Sequence, residues 1–374
     1  MQNVIFSYHL AQTSALLYKN PMNTCCNATL AGGQKTAVLL ADDFSDLSTH
    51  LSGYGNNVLW ILDENTSRLI RPLPQCRVVL EAGEPAKNWQ SVERILRTAV
   101  EEGLARDGRF IGFGGGVICD MAAFAASLYM RGCRVTLVPT TLLAMVDASL
   151  GGKTAIDFMG GKNLVGTFYP ADEVLICCDT LKTLSDKEFL NGLAEVIKHA
   201  LLSQDENLYK LLLLKKNQIL NHEPSVLRNL VTLSLAVKCS YIERDPCEKM
   251  GVRQALNLGH TFGHALESCG RFSCWSHGAA VAWGTCRALE AGVRLGVTDE
   301  HYASGATKLF AMYGYDINYR IGRGDWQLFR QSLAKDKKKL DGMVQFVLLE
   351  GQGTPVLKPL DISLIQNLVI SKPI

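Results

Sequence analysis

The segment Arg109-Phe-Ile-Gly-Phe-Gly-Gly-Gly-Val-Ile-Cys-Asp120 is the stretch of this chain that says most about its fold. Its apolar start, Arg109–Phe113, predicts a strand, and the glycines lead into a helix predicted over Met121–Tyr129. Glycines let backbone amides approach an anion, and a helix N-terminus adds a favourable field, so the loop suits a nucleotide pyrophosphate. The glycines lack GxGxxG spacing, however, and a tight turn between strand and helix explains them equally well.

Short apolar runs on both sides of this segment predict further strands at Thr36–Leu40, Asn57–Leu62, Arg77–Leu80 and Val135–Pro139. Several are rich in Val and Ile and are bounded by Gly, Asp or Pro, as buried parallel strands are. The apolar spacing between Trp89 and Leu104 is helical. Alternation of strands and helices predicts a doubly wound α/β domain.

The second half of the chain has a different pattern. After about Leu184, long helical patterns rich in Leu follow, as in Asn207–Leu214 and Pro224–Val231. A chain of 374 residues is too long for one compact core. We therefore predict an N-terminal extension at residues 1–35, an α/β domain at 36–184 and a mainly helical domain at 185–374.

Composition excludes several classes of protein. The chain is 47% hydrophobic and 20% charged, with a net charge of +2, so nothing favours binding to nucleic acid or to an anionic membrane. No uninterrupted apolar run reaches 18 residues, which argues against a spanning helix. The first Lys or Arg is Lys19, so a secretory signal is not expected. The twelve cysteines are scattered without CxxC spacing, which predicts reduced thiols in the cytoplasm.

Three of the eight histidines, His260, His264 and His277, fall within eighteen residues. Positions i and i+4 of a helix share a face, so His260 and His264 can converge, and a third His from a nearby turn with a carboxylate from elsewhere would complete a metal site. Arg253 and Asn257 precede His260 at intervals of four and three. We therefore predict one polar stripe that converges on a ligand.

Other polar residues are compatible with two interpretations. Lys153 and Lys162 each follow a Gly-Gly pair, which suits a phosphate or carboxylate ligand or, taken alone, a solvated surface loop. Glu195 and Lys198 share an otherwise apolar helix face, and a surface pair is commoner than a buried site. Asp63 ends a predicted strand, where it suits a ribose hydroxyl, although an Asp that caps a turn is the more usual case.

From about Thr36 to the C-terminus, the order and spacing of nine motifs resemble the 3-dehydroquinate synthase family of sugar phosphate cyclases. The motifs are Gly114–Asp120, Tyr129–Gly132, Val138–Asp147, Gly151–Asp157, Gly161–Asn163, Asp179–Leu184, Gly192–Lys198, Asn257–His264 and Asp336–Lys338. The resemblance implies an α/β fold with an N-terminal Rossmann-like NAD-binding domain followed by a mainly α-helical metal-binding domain. It also implies a homodimer with the active site between the domains.

The resemblance assigns site residues one by one. Implied ligands of Zn²⁺ or Co²⁺ are Glu195, His260 and His277. Implied NAD contacts are Asp63, Glu84, Lys87, Gly114, Gly115, Gly116, Val117, Asp120, Thr140, Thr141, Lys153, Lys162, Thr180 and Thr183. Implied substrate contacts are Arg131, Asp147, Lys153, Asn163, Asn191, Lys198, Lys238, Arg253, Asn257, His264 and Lys338. Implied catalytic residues are His264, Asn163, Lys153, Lys198 and, as a proton-handling acid, Glu248.

The implied activity is that of a cytoplasmic lyase of the shikimate pathway. It converts a small sugar phosphate, 3-deoxy-D-arabino-heptulosonate 7-phosphate, to 3-dehydroquinate and phosphate by transient oxidation with NAD, β-elimination, re-reduction, ring opening and aldol closure. Partners from nucleic acid or membrane are not expected. Another sugar phosphate cyclase and a metal-dependent polyol dehydrogenase are the alternatives, but Asn257 and His264 favour dehydroquinate and the many cations disfavour the dehydrogenase. A catalytically dead binding protein on the same fold is a third.

This chain departs from the family pattern at three places. Ala279 stands where the family has Glu, and Ala123 stands where it has Gly. The segment between Glu248 and Arg253 is one residue longer than expected, so the role of Glu248 is the least secure. None of these changes removes an implied metal ligand or phosphate contact.

Overall fold

The computed structural model describes residues 6–7, 22–30, 33–270, 274–335, 339–340 and 343–370. The chain divides into two compact units, Met1–Ser185 and Asp186–Ile374. Lys338, an implied phosphate contact, lies outside the described residues.

The first unit contains a large sheet and its covering helices. Its strands are β1 (Phe6–Ser7), β2 (Asn23–Thr29), β3 (Lys35–Leu40), β4 (Val58–Asp63), β5 (Ile70–Arg71), β6 (Arg77–Leu80), β7 (Arg109–Gly114), β8 (Arg134–Pro139), β9 (Lys153–Phe158), β10 (Gly161–Phe168) and β11 (Glu173–Ile176). Its α-helices are α1 (Phe44–Ser52), α2 (Trp89–Glu101) and α3 (Gly116–Leu128).

The seven-stranded sheet has the order β2-β3-β11-β8-β7-β4-β6. All neighbours are parallel except β2, which runs antiparallel to β3. Its central strands are buried, as Leu59, Ile61, Phe110 and Phe113 show, which explains their continuous apolar runs. The predicted α/β fold is confirmed, and the carboxyl ends of its parallel strands share one edge.

Several parts of this unit differ from the prediction. Residues Asn23–Thr29, which were assigned to an extension, form the edge strand β2. Their polar sequence shows no apolar period, and backbone pairing with β3 orders them. Strand β11, Glu173–Ile176, was not predicted; it is ordered by parallel pairing with β3 and β8. The lysine-containing segment considered as a loop forms an antiparallel hairpin of β9 and β10.

The second unit is mainly helical, as predicted. Its helices are α4 (Asp186–Leu202), α5 (Asn207–Leu214), α6 (Lys216–Leu220), α7 (Pro224–Arg244), α8 (His260–Cys269), α9 (His277–Arg294), α10 (Glu300–Met312), α11 (Trp326–Lys335) and α12 (Ile362–Val369). Strands β12 (Lys339–Leu340), β13 (Met343–Gly351) and β14 (Thr354–Pro359) form an antiparallel sheet that was not predicted. Helix α9 is buried along most of its length. Within the described residues, no helix could cross a membrane.

A polar network holds the amino-terminal edge of the large sheet. Glu173, the first residue of β11, accepts a hydrogen bond from the Tyr54 hydroxyl, and its Oε2 lies 3.5 Å from Nη1 of Arg109. Arg109 also stacks over the Tyr54 ring at 4.4 Å and donates to Oγ1 of Thr136 at 2.5 Å. Burial would raise the pKa of Glu173, but the nearby His50 ring, the hydrogen bond from Tyr54 and the charge of Arg109 outweigh it and lower the pKa.

We expect Glu173→Gln to lower the free energy of unfolding by about 1–3 kcal/mol at pH 7, because it removes a charged, half-buried acceptor. A carboxyl whose pKa is depressed by folding stabilises above its unfolded pKa, and this contribution is lost as the pH falls through the folded pKa. The difference between variant and wild type should therefore shrink below about pH 4. Urea unfolding of variant and wild type at pH 7 and below about pH 4 measures this difference.

Glu93→Gln is the matched control, because Glu93 forms an exposed i,i+4 pair with Arg97. Its cost should stay below about 0.5 kcal/mol. An equal loss for Glu173→Gln at neutral and acid pH would show that side-chain shape, and not charge, is responsible.

Candidate functional site

The implied NAD contacts of the first unit follow the carboxyl ends of five parallel strands. Asp63 ends β4, Glu84 follows β6, Gly114 ends β7, Thr140 follows β8 and Thr180 follows β11. These strands are neighbours in the sheet, so the structure brings the five positions to one edge. Ligands of open α/β sheets bind at this edge.

The glycine loop joins β7 directly to α3. Helix α3 begins at Gly116, five residues before its predicted start, and Gly115 is its N-cap. A Cβ on Gly114 would lie 2.6 Å from Cβ of Ile118, so the close approach of strand and helix requires glycine there. The same turn presents the first amides of a thirteen-residue helix, including Val117, without a capping side chain. It therefore serves packing and leaves a position suited to a phosphate.

Lys87 lies at the centre of a polar cluster. Its ammonium lies 2.6 Å from Oδ2 of Asp120 and donates to Oδ1 of Asn163 at 2.5 Å, and the residue is only 6% exposed. Asn163 has a left-handed backbone, and its N–H donates to Oδ1 of Asp157 at 2.8 Å. Burial would lower the pKa of Lys87, but the charge of Asp120 outweighs it and raises the pKa. The ammonium thus fixes the amide of Asn163 beside two implied NAD contacts.

Other implied NAD contacts make local hydrogen bonds. Oδ1 of Asp63 accepts from the N–H groups of Asn65 and Thr66 at 2.9 and 2.8 Å, so Asp63 caps this turn, as its commoner interpretation predicted. Exposed Glu84 and Lys162 form an ion pair at 4.0 Å. The hydroxyl of Thr180 donates to the carbonyl of Cys177 at 2.9 Å.

The remaining implied contacts of this unit lie in different places. Asp147 lies in a π-helical turn, Ala144–Ala148, and Lys153 begins β9. The hydroxyl of Thr141 accepts from the N–H of Ala144 at 3.2 Å, and that of Thr183 donates to the carbonyl of Thr180 at 2.7 Å. Exposed Arg131 precedes β8, so it lies at the amino-terminal edge of the sheet, opposite the glycine loop. Within the first unit of one chain, Arg131 therefore lies away from the implied contacts at the carboxyl edge of the sheet.

In the second unit, Glu195, His260 and His277 converge. Oε1 of Glu195 lies 3.5 Å from Nε2 of His260 and 3.6 Å from Nε2 of His277. One ligand atom from each residue lies within 4.8 Å of the others. Two imidazoles and one carboxylate are a donor set that suits zinc or cobalt and leaves a position for substrate. These side chains therefore fit a divalent metal ion.

The three ligands come from different helices. Glu195 lies in the middle of α4, whereas His260 and His277 begin α8 and α9. Gly259, with φ of 79°, separates α8 from a 3-10 helix at Arg253–Asn257. The predicted single stripe through these residues is therefore wrong, because Gly259 redirects the backbone.

Lys198 forms a buried ion pair with the carboxylate of Glu195. Glu195 and Lys198 are 0% and 1% exposed and in direct contact, and Nζ of Lys198 also donates to the carbonyl of Leu256 at 2.7 Å. The interpretation as a surface pair is thus wrong, because α4 is enclosed by neighbouring helices. Burial would raise the pKa of Glu195, but the charge of Lys198 and the interaction with His277 hold it well below its usual range.

The two histidines differ in protonation. Burial and the charge of Lys198 hold the pKa of His260 well below its usual range, so its imidazole is neutral and can bind a metal. Burial would lower the pKa of His277, but the carboxylates of Glu195 and Glu267, 3.6 and 3.7 Å from its two ring nitrogens, raise it to about 10. The carboxylates around His277 therefore favour its cationic form when no metal competes for the ring.

The implied substrate contacts of this unit lie on several of its helices. Oδ1 of Asn191 accepts from the N–H of Gly278 at 2.6 Å, which ties the start of α9 to α4. Lys238 and Arg253 are buried cations. His264 is exposed, with its ring 5.4 Å from that of His260.

The structure also reveals a residue that sequence reasoning missed. Oδ1 of Asp245 accepts from the N–H of Lys249 at 2.8 Å, and its Oδ2 accepts from that of Arg253 at 3.2 Å. Asp245 thereby closes the loop that carries Glu248, whose Oε1 accepts from Asn257 at 3.4 Å. The extra residue lies inside this closed loop, so Glu248 still reaches Asn257. An Asp directly after a helix end was the only signal in the sequence.

Comparison with known proteins identifies the family. The family model described as 3-dehydroquinate synthase N-terminal matches residues 77–191, and the family model described as 3-dehydroquinate synthase C-terminal matches residues 192–339. The chain is 36% identical over 322 residues to the 3-dehydroquinate synthase of Alkaliphilus metalliredigens, covering 82% of this chain and 87% of that protein. It is 41% identical over 280 residues to that of Pseudomonas aeruginosa, covering 75% of each. The chain belongs to the 3-dehydroquinate synthase family.

Family membership confirms the predicted activity. The chain has 3-dehydroquinate synthase activity, a lyase reaction of the shikimate pathway. Solved structures share the fold. One is 2-deoxy-scyllo-inosose synthase complexed with carbaglucose-6-phosphate, NAD⁺ and Co²⁺, with a TM-score of 0.80 at 24% identity over 92% of this chain and 99% of that one. Another is 2-epi-5-epi-valiolone synthase from Streptomyces hygroscopicus with NAD⁺ and Zn²⁺, with a TM-score of 0.72 at 23% identity over 83% and 91%.

The departures from the family pattern leave the implied metal ligands in place. The N–H of Ala279 donates to Oγ of Ser276, the N-cap of α9, at 3.3 Å. Ala123 is buried in α3. Neither position provides a polar side chain to the synthase site.

We expect Gly259→Ala to destabilise this synthase more than Gly314→Ala does. Both glycines have positive φ, but a Cβ on Gly259 would overlap Thr285 and lie 2.7 Å from the carbonyl oxygen of Val281, whereas one on Gly314 meets nothing within 4 Å. The left-handed conformation should cost about 1–2 kcal/mol at either site. Overpacking should add about 1–3 kcal/mol at Gly259. Chemical unfolding of both variants measures the difference, and equal losses would contradict the overlap.

Proposed function

We propose that this chain converts 3-deoxy-D-arabino-heptulosonate 7-phosphate to 3-dehydroquinate and phosphate with bound NAD and one divalent ion, Zn²⁺ or Co²⁺. The observation that carries the proposal is the convergence of Glu195, His260 and His277 within 4.8 Å. The relatives of the same fold support it, because their structures contain NAD⁺ with Co²⁺ or Zn²⁺.

Glu195, His260 and His277 would hold the metal ion. A bound divalent cation supplies a Lewis acid for the hydroxyl groups of the substrate. Lys198, in contact with Glu195, keeps that carboxylate ionised and ready to act as a ligand. The low pKa of His260 keeps its ring neutral for the same purpose.

The carboxyl edge of the sheet would hold the dinucleotide. Bound NAD supplies a hydride acceptor and returns the hydride within each turnover. The amides at Gly115 to Val117 would bind the pyrophosphate, since they begin α3. Lys87, paired with Asp120, would orient Asn163 toward the ligand.

The anionic groups of the substrate would meet the cations of the site. In the second unit, Lys198, Lys238 and Arg253 carry charge of the kind that a phosphate and a carboxylate require, and Lys153 does so in the first unit. Lys238 and Arg253 are buried, so a bound anion would gain more from them than from solvated cations. Glu248 would exchange protons through its carboxylate, held by Asn257, and exposed His264 would do so through its imidazole.

The first test is phosphate release from the heptulosonate phosphate with catalytic NAD and added Zn²⁺. We expect many phosphates per NAD and no net NADH. His260→Ala should lower the rate on the order of 100-fold or more, since it removes a ligand whose metal supplies several kcal/mol. His301→Ala, an exposed histidine on α10, is the matched control and should keep the wild-type rate.

The outcomes separate the alternatives. Net NADH without phosphate would identify a polyol dehydrogenase and overturn the proposal. Phosphate release from another sugar phosphate, but not from this one, would identify a different cyclase.

The chain also carries a surface suited to a homodimer. The β9–β10 hairpin exposes Phe158, Met159, Leu164 and Phe168, with Met159 at 92%. A cluster of exposed apolar side chains favours association. Arg131 lies across the sheet from the glycine loop, and the six residues of β8 span about 20 Å. A second copy would let Arg131 contact a substrate bound to its partner.

We expect sedimentation to give twice the mass of one chain. The double variant Met159→Asp, Leu164→Asp should shift the protein to a monomer, because it places charges in an apolar interface. Leu214→Asp is the control, since Leu214 is 76% exposed on α5. A monomeric wild type, or a dimeric double variant, would contradict this interface.

A further inference from the structure

Glu267 is a buried carboxylate of the second unit that is neither a proposed metal ligand nor an implied substrate contact. It lies on α8, seven residues after His260, and its side chain is 7% exposed. Residues seven apart lie on one face of a helix, two turns apart. The face of α8 that carries His260 therefore also carries Glu267.

His277 lies between two carboxylates. Its Nε2 faces Oε1 of Glu195 at 3.6 Å, and its Nδ1 faces Oε1 of Glu267 at 3.7 Å. The two carboxylates thus approach opposite nitrogens of one imidazole. The ring can be held from the Glu267 side while Nε2 stays directed at Glu195.

His260 shows the same arrangement with a different partner. Its Nδ1 lies 3.2 Å from the carbonyl oxygen of Leu258, while its Nε2 lies 3.5 Å from Oε1 of Glu195. Each histidine therefore offers Nε2 to one point and has an acceptor behind Nδ1. A carboxylate or carbonyl at the second nitrogen orients an imidazole ligand and increases its basicity.

We propose that Glu267 is a positioning residue of the metal centre, which holds the ring of His277 through Nδ1 and directs Nε2 at the ion. The inference rests on the proposed metal site at Glu195, His260 and His277. Glu267 does not bind the ion itself in this arrangement, because the imidazole ring separates its carboxylate from the point that Nε2 faces.

A second arrangement of the same atoms is possible. His264, Glu267 and His277 also offer ligand atoms within 4.8 Å of one another. That set would require Nδ1 of His277 to bind a second ion, so it could not also donate to Glu267. The exposed His264 makes it a poorer site, and the number of ions per chain distinguishes the two arrangements.

The experiment measures metal affinity. Chain stripped with a chelator is titrated with Zn²⁺ against a chromophoric competitor, and the Co²⁺ form is examined by visible absorption. The variants are Glu267→Ala and the isosteric Glu267→Gln, with His260→Ala to test the site itself. Glu290→Gln is the matched control, because Glu290 lies toward the other end of α9 from His277 and pairs with Arg287 and Arg294 of that helix and with Arg320 outside it.

We expect one ion per wild-type chain, lost in His260→Ala. Glu267→Ala should weaken Zn²⁺ binding about 10- to 100-fold and shift the Co²⁺ bands. Glu267→Gln should weaken it less, since its amide oxygen still accepts a hydrogen bond. Glu290→Gln should bind as wild type does. The metal-free melting temperatures of Glu267→Gln and wild type should be similar, which separates positioning from a general loss of stability.

Wild-type affinity and an unshifted Co²⁺ spectrum in Glu267→Gln and Glu267→Ala would overturn the inference while leaving the metal site intact. Two ions per wild-type chain, with one lost in Glu267→Ala, would make Glu267 a ligand and would also overturn it. A wild-type chain that binds no metal would overturn the proposed site and the inference together. If Glu267→Ala does not fold, Glu267→Gln decides.

Discussion

The buried carboxylate of Glu195 is the constraint on which the second unit depends. A fully buried charge is very unfavourable without partners, and here a direct ion pair with Lys198 and two imidazoles provide them. Each partner comes from a precisely oriented backbone: Lys198 from the next turn of α4, His260 from the residue after Gly259, and His277 from the first residue of α9. The packing of α4, α8 and α9 therefore also assembles the proposed metal centre.

A different constraint organises the first unit. Parallel strands place their carboxyl ends at one edge, and close contact of β7 with α3 requires glycine at that point. The same glycines that permit this packing leave backbone amides at the start of a long helix. Structural and ligand-binding explanations of the loop are thus not alternatives, because one backbone geometry serves both.

The two sites use cations in different ways. Lys87 is held by Asp120 and in turn holds the amide of Asn163, so its charge fixes a neighbouring side chain. Lys198 is held by Glu195 and the carbonyl of Leu256, so its charge keeps a ligand ionised. The resemblance implied Lys87 as an NAD contact and Lys198 as a substrate contact, and each lysine also supports a neighbouring polar side chain.

The sequence by itself determined the alternation of β4, β6, β7 and β8 with helices, the helical second half, and the residue types of the proposed metal ligands, because period and composition are local properties. Tertiary structure decided the edge strand β2 and the short strand β11, whose order comes from pairing with distant strands. It also decided the burial of Glu195 and Lys198, the break at Gly259, and the placement of Asp245 and Glu267. Burial and hydrogen-bond partners depend on residues far apart in the chain, so no local pattern contains them.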